Sequence, residues 1–193
     1  MNPRRADTEG ELEMNEDASR PDAIRVRPAT PADVPLILCL VRELAEYERA
    51  LEQVVASEQS LERHLFGPRG GDGPALGALI GELDGRAEGF ALYFYSFSTW
   101  LATAGIWLED LYVRPAARRR GLGRALFMEL ARMAVRQGCG RLEWAVLNWN
   151  RPAIDFYRRM GAVPLEQWTT YRLSGEALQR LGRAGHPPPS PSA

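Results

Sequence analysis

Between Ala78 and Leu147 the apolar period changes in a fixed order, and that order constrains the fold more than any single residue. "ALIGEL" and "AEGFALYFYSF" both suit strands and are separated by "DGR". Asp84-Gly85 in that gap predicts a tight antiparallel hairpin, because both central turn positions need positive φ. A third strand-like run, "TAGIWLEDLYV", follows. The pattern then becomes helical, with Leu122, Leu126, Leu130 and Met133 on one stripe and Gly138 as a stop. "RLEWAVL" reads as a further strand.

The flanking sequence completes the order. "AIRVRPA" alternates as a strand, and "TPADVPLILCLVRELAEYE" reads as a helix, with Thr30 as N-cap, Pro31 in the first turn and Asp33 three residues on. Val34, Ile37, Leu38, Val41, Leu44 and Ala45 form its buried face. "SEQSLERHLF" is a short helix and "GPRGGDGPALG" a loop. "PAIDFYRRMGA" is a helix with Ala153, Phe156, Tyr157 and Met160 on one face, and "PLEQWTTYRL" reads as a last strand. The predicted order is β-α-α-β-β-β-α-β-α-β. This implies a mixed α/β fold: a largely antiparallel twisted sheet, one parallel βαβ crossover and helices on both faces. Residues 1–22 are expected to be a disordered tail, 23–181 a single domain and 182–193 a disordered, proline-rich tail.

Composition excludes several function classes. The formal net charge is −1, which argues against nucleic acid as a partner. The longest apolar stretch, "GFALYFYSFSTWL", is too short and polar to span a bilayer, so no membrane partner is expected. The N-terminal stretch lacks the apolar core of a secretory signal, and a cytoplasmic protein is expected. The two cysteines, Cys39 and Cys139, and the two histidines, His64 and His186, have no metal-ligand spacing, so no metal is expected. Cys39 lies in an apolar helical stretch and is expected to be buried. Every one of the 24 basic residues is arginine. Lysine-dependent Walker, Schiff-base and kinase chemistry is thereby excluded.

Attention falls on "ARRRGLGRAL", between the third strand and the helix. Gly121 and Gly123 permit a sharp turn and close approach of a ligand to the backbone. Successive N–H groups and the helix N-terminus favour an anion, and Arg118, Arg119, Arg120 and Arg124 add positive charge. The physical reading is a pyrophosphate seat or, alternatively, a solvated basic loop. A ligand is expected where the carboxyl end of the crossover strand meets this helix.

Three other features bear on the choice. Glu109 and Asp110 interrupt an apolar strand, where regular alternation would send one to each face. A carboxylate on a covered face costs free energy unless it has a partner or a use. Asn150 precedes a helix that carries Tyr157 on its apolar side, which reads either as a core tyrosine or as a functional one. In "ELAEYER", Glu43, Glu46 and Glu48 surround Tyr47, either as a solvated helix end or as an acidic, aromatic edge attracting a cation.

Together these segments resemble the GNAT superfamily of acetyl-CoA-dependent N-acetyltransferases. "RRRGLG" is similar to its Q/R-x-x-G-x-G/A phosphate motif, and "NRPAIDFYRRMGA" to its later N-x-x-A-x-x-F-Y motif. "RELAEYE", "WLEDLYV" and "AVLNWNRPAIDFY" resemble the diamine acetyltransferase branch, which acts on spermidine, spermine or thialysine-like amines. The resemblance implies acetyl-CoA as co-substrate and a GNAT-like acyl-CoA N-acyltransferase fold. It places the main chain of Leu111, Tyr112 and Val113 against the pantetheine arm and acetyl carbonyl. The pyrophosphate would meet Arg118, Arg119, Arg120, Gly121, Leu122, Gly123 and Arg124. Asn150 and Ala153 would contact the far end of the arm. Tyr157 would be the general acid toward the departing thiolate and Glu109 the base. Tyr47, Glu48 and Asp110 would line the amine site. A homodimer is also implied.

The implied roles make chemical sense. A primary amine with pKa ~10 must lose a proton before it attacks, and a tyrosine of comparable basicity can protonate a leaving thiolate. Donors at 111–113 would stabilise the tetrahedral oxyanion. The expected function is direct acetyl transfer from acetyl-CoA to a primary amine of a small cationic molecule, such as a polyamine, diamine or amino-acid-like amine. The alternatives are a protein N-acetyltransferase and a non-catalytic acyl-CoA sensor. Thr169 stands where the polyamine branch carries an acidic residue, which lowers the expected carboxylate count of the site.

Overall fold

The computed structural model describes residues 23–67 and 76–184. The expected tail 1–22, most of the glycine-rich loop and the chain beyond 184 lie outside the described residues. The chain divides into two compact units, Met1–Ala145 and Val146–Ala193.

In the first unit, strand β1 (Ile24–Pro28) leads through a 3-10 turn into helix α1 (Val34–Tyr47), and helix α2 (Glu58–Phe66) follows. Strands β2 (Leu76–Leu83), β3 (Arg86–Ser98) and β4 (Thr103–Val113) come next, then helix α3 (Leu122–Arg136) and the short strand β5 (Leu142–Trp144). The sheet order is β1-β2-β3-β4-β5. Neighbours are antiparallel except β4 and β5, which run parallel through the α3 crossover. This is the mixed sheet expected from the period changes. The hairpin turn is also as expected, with Asp84 at φ 52° and Gly85 at φ 78°.

Helices cover both faces. Ile80 pairs with Phe90, and both are buried with Ile37 and Leu40 of α1, together with Leu92 and Tyr112. The next residue, Gly81, faces the other way: a Cβ there would come within 3.0 Å of Leu122 and Leu126 of α3. Its lack of a side chain is what lets α3 lie close to the sheet. Leu122, Leu126, Phe127, Leu130 and Ala134 form the buried stripe of α3. On α1, Cys39 is exposed, which corrects its expected burial; the neighbouring Leu38 and Leu40 take the buried positions instead.

The start of α1 is fixed by charge. Asp33 is buried and accepts hydrogen bonds from the backbone N–H and hydroxyl of Thr30, at 2.7 and 2.8 Å. Arg27 of β1 grips the same carboxylate with both terminal nitrogens, each at 2.8 Å, and donates through Nε to Glu82 of β2. Hydrogen bonding to Arg27 holds Asp33 far below the usual carboxylate range.

The second unit holds helices α4 (Arg151–Arg159) and α5 (Gly175–Arg183). Helix α4 matches its expected position, with Ala153, Phe156, Tyr157 and Met160 all half-buried. The expected last strand does not form: residues 164–173 are irregular and exposed, including Trp168 and Tyr171. The described part of this unit contains no other strand with which such a segment could pair its backbone. Helix α5 was not anticipated and runs past the expected domain limit at 181.

Breaking the Arg27–Asp33 contact leaves a buried carboxylate uncompensated. Arg27→Ala should lower the unfolding free energy by about 3 kcal/mol, measured by urea denaturation. Asp33 is depressed in the folded state, so its stabilisation is present above its unfolded pKa near ~4 and is lost as pH falls below that. The variant should therefore show a shallower acid-induced loss of stability than the parent chain.

Candidate active site

Strand β4 contains one residue more than its partner can match. Leu92 of β3 pairs with Asp110 and the next residue, Tyr93, pairs with Leu108, leaving Glu109 as a bulge. The expected separation of Glu109 and Asp110 to opposite faces is thereby overturned. Trp107 pairs with Phe94, so it shares the face of Leu92 and Asp110. Its indole Nε1 donates to Glu109 Oε2 at 2.9 Å, which places that carboxylate on the same side. This is the face covered by α1.

Glu48, the C-cap residue of α1, adds a third carboxylate. Burial, reinforced by the charges of Glu109 and Glu48, pushes Asp110 up to about 6 from 3.8. Burial also raises the pKa of Glu48. No cluster of three or more metal-ligating side chains among the described residues could hold an ion.

The rest of the acidic helix end is differently occupied. Glu43 is clasped by Arg114, with Nη2 to Oε1 at 2.8 Å and Nε to Oε1 at 3.0 Å, and sits below its ordinary pKa. Its charge is committed to tying α1 to the end of β4. Glu46 is exposed. Tyr47 is half-buried with the Arg118 guanidinium 4.8 Å from its ring centroid.

The glycine loop has the backbone expected of an anion seat. Arg119 at φ 64° and Gly121 at φ 93° are both left-handed. Gly121 is the N-cap of α3 and supplies no side-chain cap. The first intrahelical bond recorded back to it is from the N–H of Ala125, at 3.0 Å. The N–H groups of Leu122, Gly123 and Arg124 thus form the open first turn of a fifteen-residue helix. These residues fit a pyrophosphate.

Three of the arginines are placed differently. Arg118 is turned toward the sheet: its Nε donates to the carbonyl of Val113 at 2.9 Å, and its guanidinium lies over Tyr47 and Tyr112. Arg120 bonds Asp84 of the hairpin turn at 2.7 Å. Arg124 is exposed on the first turn of α3. Leu122 and Tyr112 have buried side chains, so any ligand contact they make is through the backbone. The β4–β5 ladder ends at Leu108 and Trp144, and β4 continues alone on that side through Leu111 to Val113.

Asn150, Ala153 and Tyr157 belong to the second unit. Asn150 caps α4, its Oδ1 accepting from the Ala153 N–H at 3.3 Å. Tyr157 is half-buried with its ring 5.1 Å from that of Phe156.

The model of the acetyltransferase (GNAT) family matches residues 41–162. The chain belongs to the GNAT family. It is an N-acetyltransferase, and the family implies acetyl-CoA as acyl donor. The thialysine N-epsilon-acetyltransferase of Bos taurus is 38% identical, covering 82% of this chain and 96% of that protein. The L-ornithine N5-acetyltransferase of Arabidopsis thaliana is 32% identical, over 82% and 88%. Among solved structures, an integron cassette protein of V. cholerae shares the fold with a TM-score of 0.68 at 24% identity, covering 83% of this chain and 98% of that one.

The sequence pointed to Glu109, Asp110, Glu48 and the glycine loop. It did not indicate the bulge, nor Trp107, whose only sequence signal is its place two residues before Glu109. No helix among the described residues is long and apolar enough to cross a membrane.

Asp110 offers a sign test. Its folded pKa of about 6 exceeds the unfolded 3.8, so its cost builds between those values and is complete above about pH 6. Asp110→Asn should therefore stabilise the protein by roughly 2–3 kcal/mol at pH 7.5 and by little at pH 4, measured by chemical denaturation at both pH values.

Proposed function

We propose that the chain acetylates a primary amine of a small cationic molecule, with acetyl-CoA as donor. The observation that carries this reading is the grouping of Glu48, Glu109 and Asp110 on the α1 face of the sheet, where Asp110 is held at an energetic cost. Asp110 is half-buried and, among the described residues, its pKa is raised with no cation among the causes; a cationic ligand would stabilise such a carboxylate. The thialysine and ornithine acetyltransferases among its relatives are named for acceptors with amino-acid-like cationic ends.

In this reading the backbone N–H groups of the Arg119–Arg124 loop and the α3 N-terminus hold the pyrophosphate. The stretch of β4 beyond the β5 ladder, Leu111 to Val113, lies along the pantetheine arm, and its N–H groups on that side stabilise the oxyanion. Asn150 and Ala153 sit toward the far end of the arm. Glu109 takes the ammonium proton, through water, and the neutral nitrogen attacks the acetyl carbonyl. The C–N bond forms, the C–S bond breaks, Tyr157 gives its proton to the departing thiolate, and the second proton shed by the attacking nitrogen restores the tyrosine through water. Tyr47, Glu48 and Asp110 hold the acceptor's second charge. Support for Tyr157 is its place in "NRPAIDFY" and its half-buried position. A homodimer belongs to the same reading; exposed Phe97, Trp100 and Leu101 supply apolar surface for it.

The test is release of free CoA thiol from acetyl-CoA across a panel of diamines, polyamines and amino acids with side-chain amines. Turnover is expected with short diamines or amino-acid amines. Tyr157→Phe should lower kcat about 100-fold, within the usual range for general acid catalysis, while CoA still binds. Wild-type turnover in that variant would remove Tyr157 from the mechanism.

A further inference from the structure

We infer that Trp107 is a positioning residue that holds Glu109 in its working orientation; this rests on Glu109 being the base. Glu109 is the extra residue of the bulge and is solvent-exposed. A carboxylate at such a place has no ladder partner to limit its rotamers, and ordering a Glu side chain costs entropy. The indole N–H of Trp107, at 2.9 Å from Oε2, supplies the missing constraint. The indole itself is fixed. Trp107 is half-buried, faces Phe94 across the β3–β4 ladder, and lies against that ring with centroids 6.3 Å apart.

The geometry leaves one oxygen for work. Trp107 bonds Oε2, so Oε1 remains to accept a proton from the amine or its water. An indole N–H donates and never accepts, so it cannot compete for that proton. Trp107 therefore acts only through Glu109 and touches neither reacting atom.

A double-mutant cycle tests this. Trp107→Phe keeps an aromatic ring against Phe94 and removes the donor. In the parent chain it should lower kcat about tenfold, the scale of one hydrogen bond to a charged group, and leave the KM for acetyl-CoA unchanged. In the Glu109→Gln background the same change should lower kcat less than about twofold, because the group it positions is already disabled. A benzothienylalanine at 107 has the indole's shape without its N–H, and should behave as Trp107→Phe does even if the phenylalanine variant folds poorly. Equal losses in both backgrounds would make Trp107 a packing residue and overturn the inference. Full activity of the 107 variants alongside a slow Glu109→Gln enzyme would overturn it as well. A Glu109→Gln enzyme as fast as the parent would instead remove Glu109 as the base, a failure of the prior reading that is read from a different variant.

Discussion

The extra residue in β4 governs the chemistry of the sheet face beneath α1. In an unbroken ladder, Leu108 and Asp110 would share one side and Glu109 the other. With Glu109 bulged, Leu108 packs with Tyr93 on the α3 face while Asp110 crosses to the face of Leu92. Each strand residue beyond the bulge is switched in the same way, which is how Tyr112 enters the α1 core. One inserted residue thus places two adjacent carboxylates together and keeps both hydrophobic layers intact.

The same arrangement sets electrostatic strain beside electrostatic satisfaction. At the β1 end of α1, Asp33 is matched by Arg27, and along the helix Glu43 is matched by Arg114. Beside the C-terminus, burial raises Glu48, and burial with the charges of Glu109 and Glu48 raises Asp110. Matched pairs anchor the helix, and the mismatched charges lie where a cation would relieve them. Arg118 links the glycine loop to the end of α1 physically, since it holds the Val113 carbonyl and lies over Tyr47.

Much of this was legible in the residues. Asp84-Gly85 encodes its turn because few residues accept two successive positive φ values. Helices α1 and α3 were legible because their apolar residues recur at helical steps, and the glycine loop because Gly121 sits where a left-handed residue is needed. The bulge was not legible: whether Glu109 is paired depends on the count of residues in β3 opposite it. Nor could the arginine cluster show that Arg118 turns inward, since that depends on Tyr47, far away in sequence. Residues 164–173 carry a strand-like composition, and composition alone does not provide a pairing edge.

The central claim is that the carboxylates brought together at the β4 bulge recognise a second positive charge on the acceptor. The direct measurement compares KM for a diamine and for a monoamine of equal length, in the parent chain and in Glu48→Gln. The account predicts that the variant raises KM for the diamine about tenfold, the scale of one charge-assisted contact, and leaves that for the monoamine nearly unchanged. An equal effect on both amines, or none on either, would contradict it.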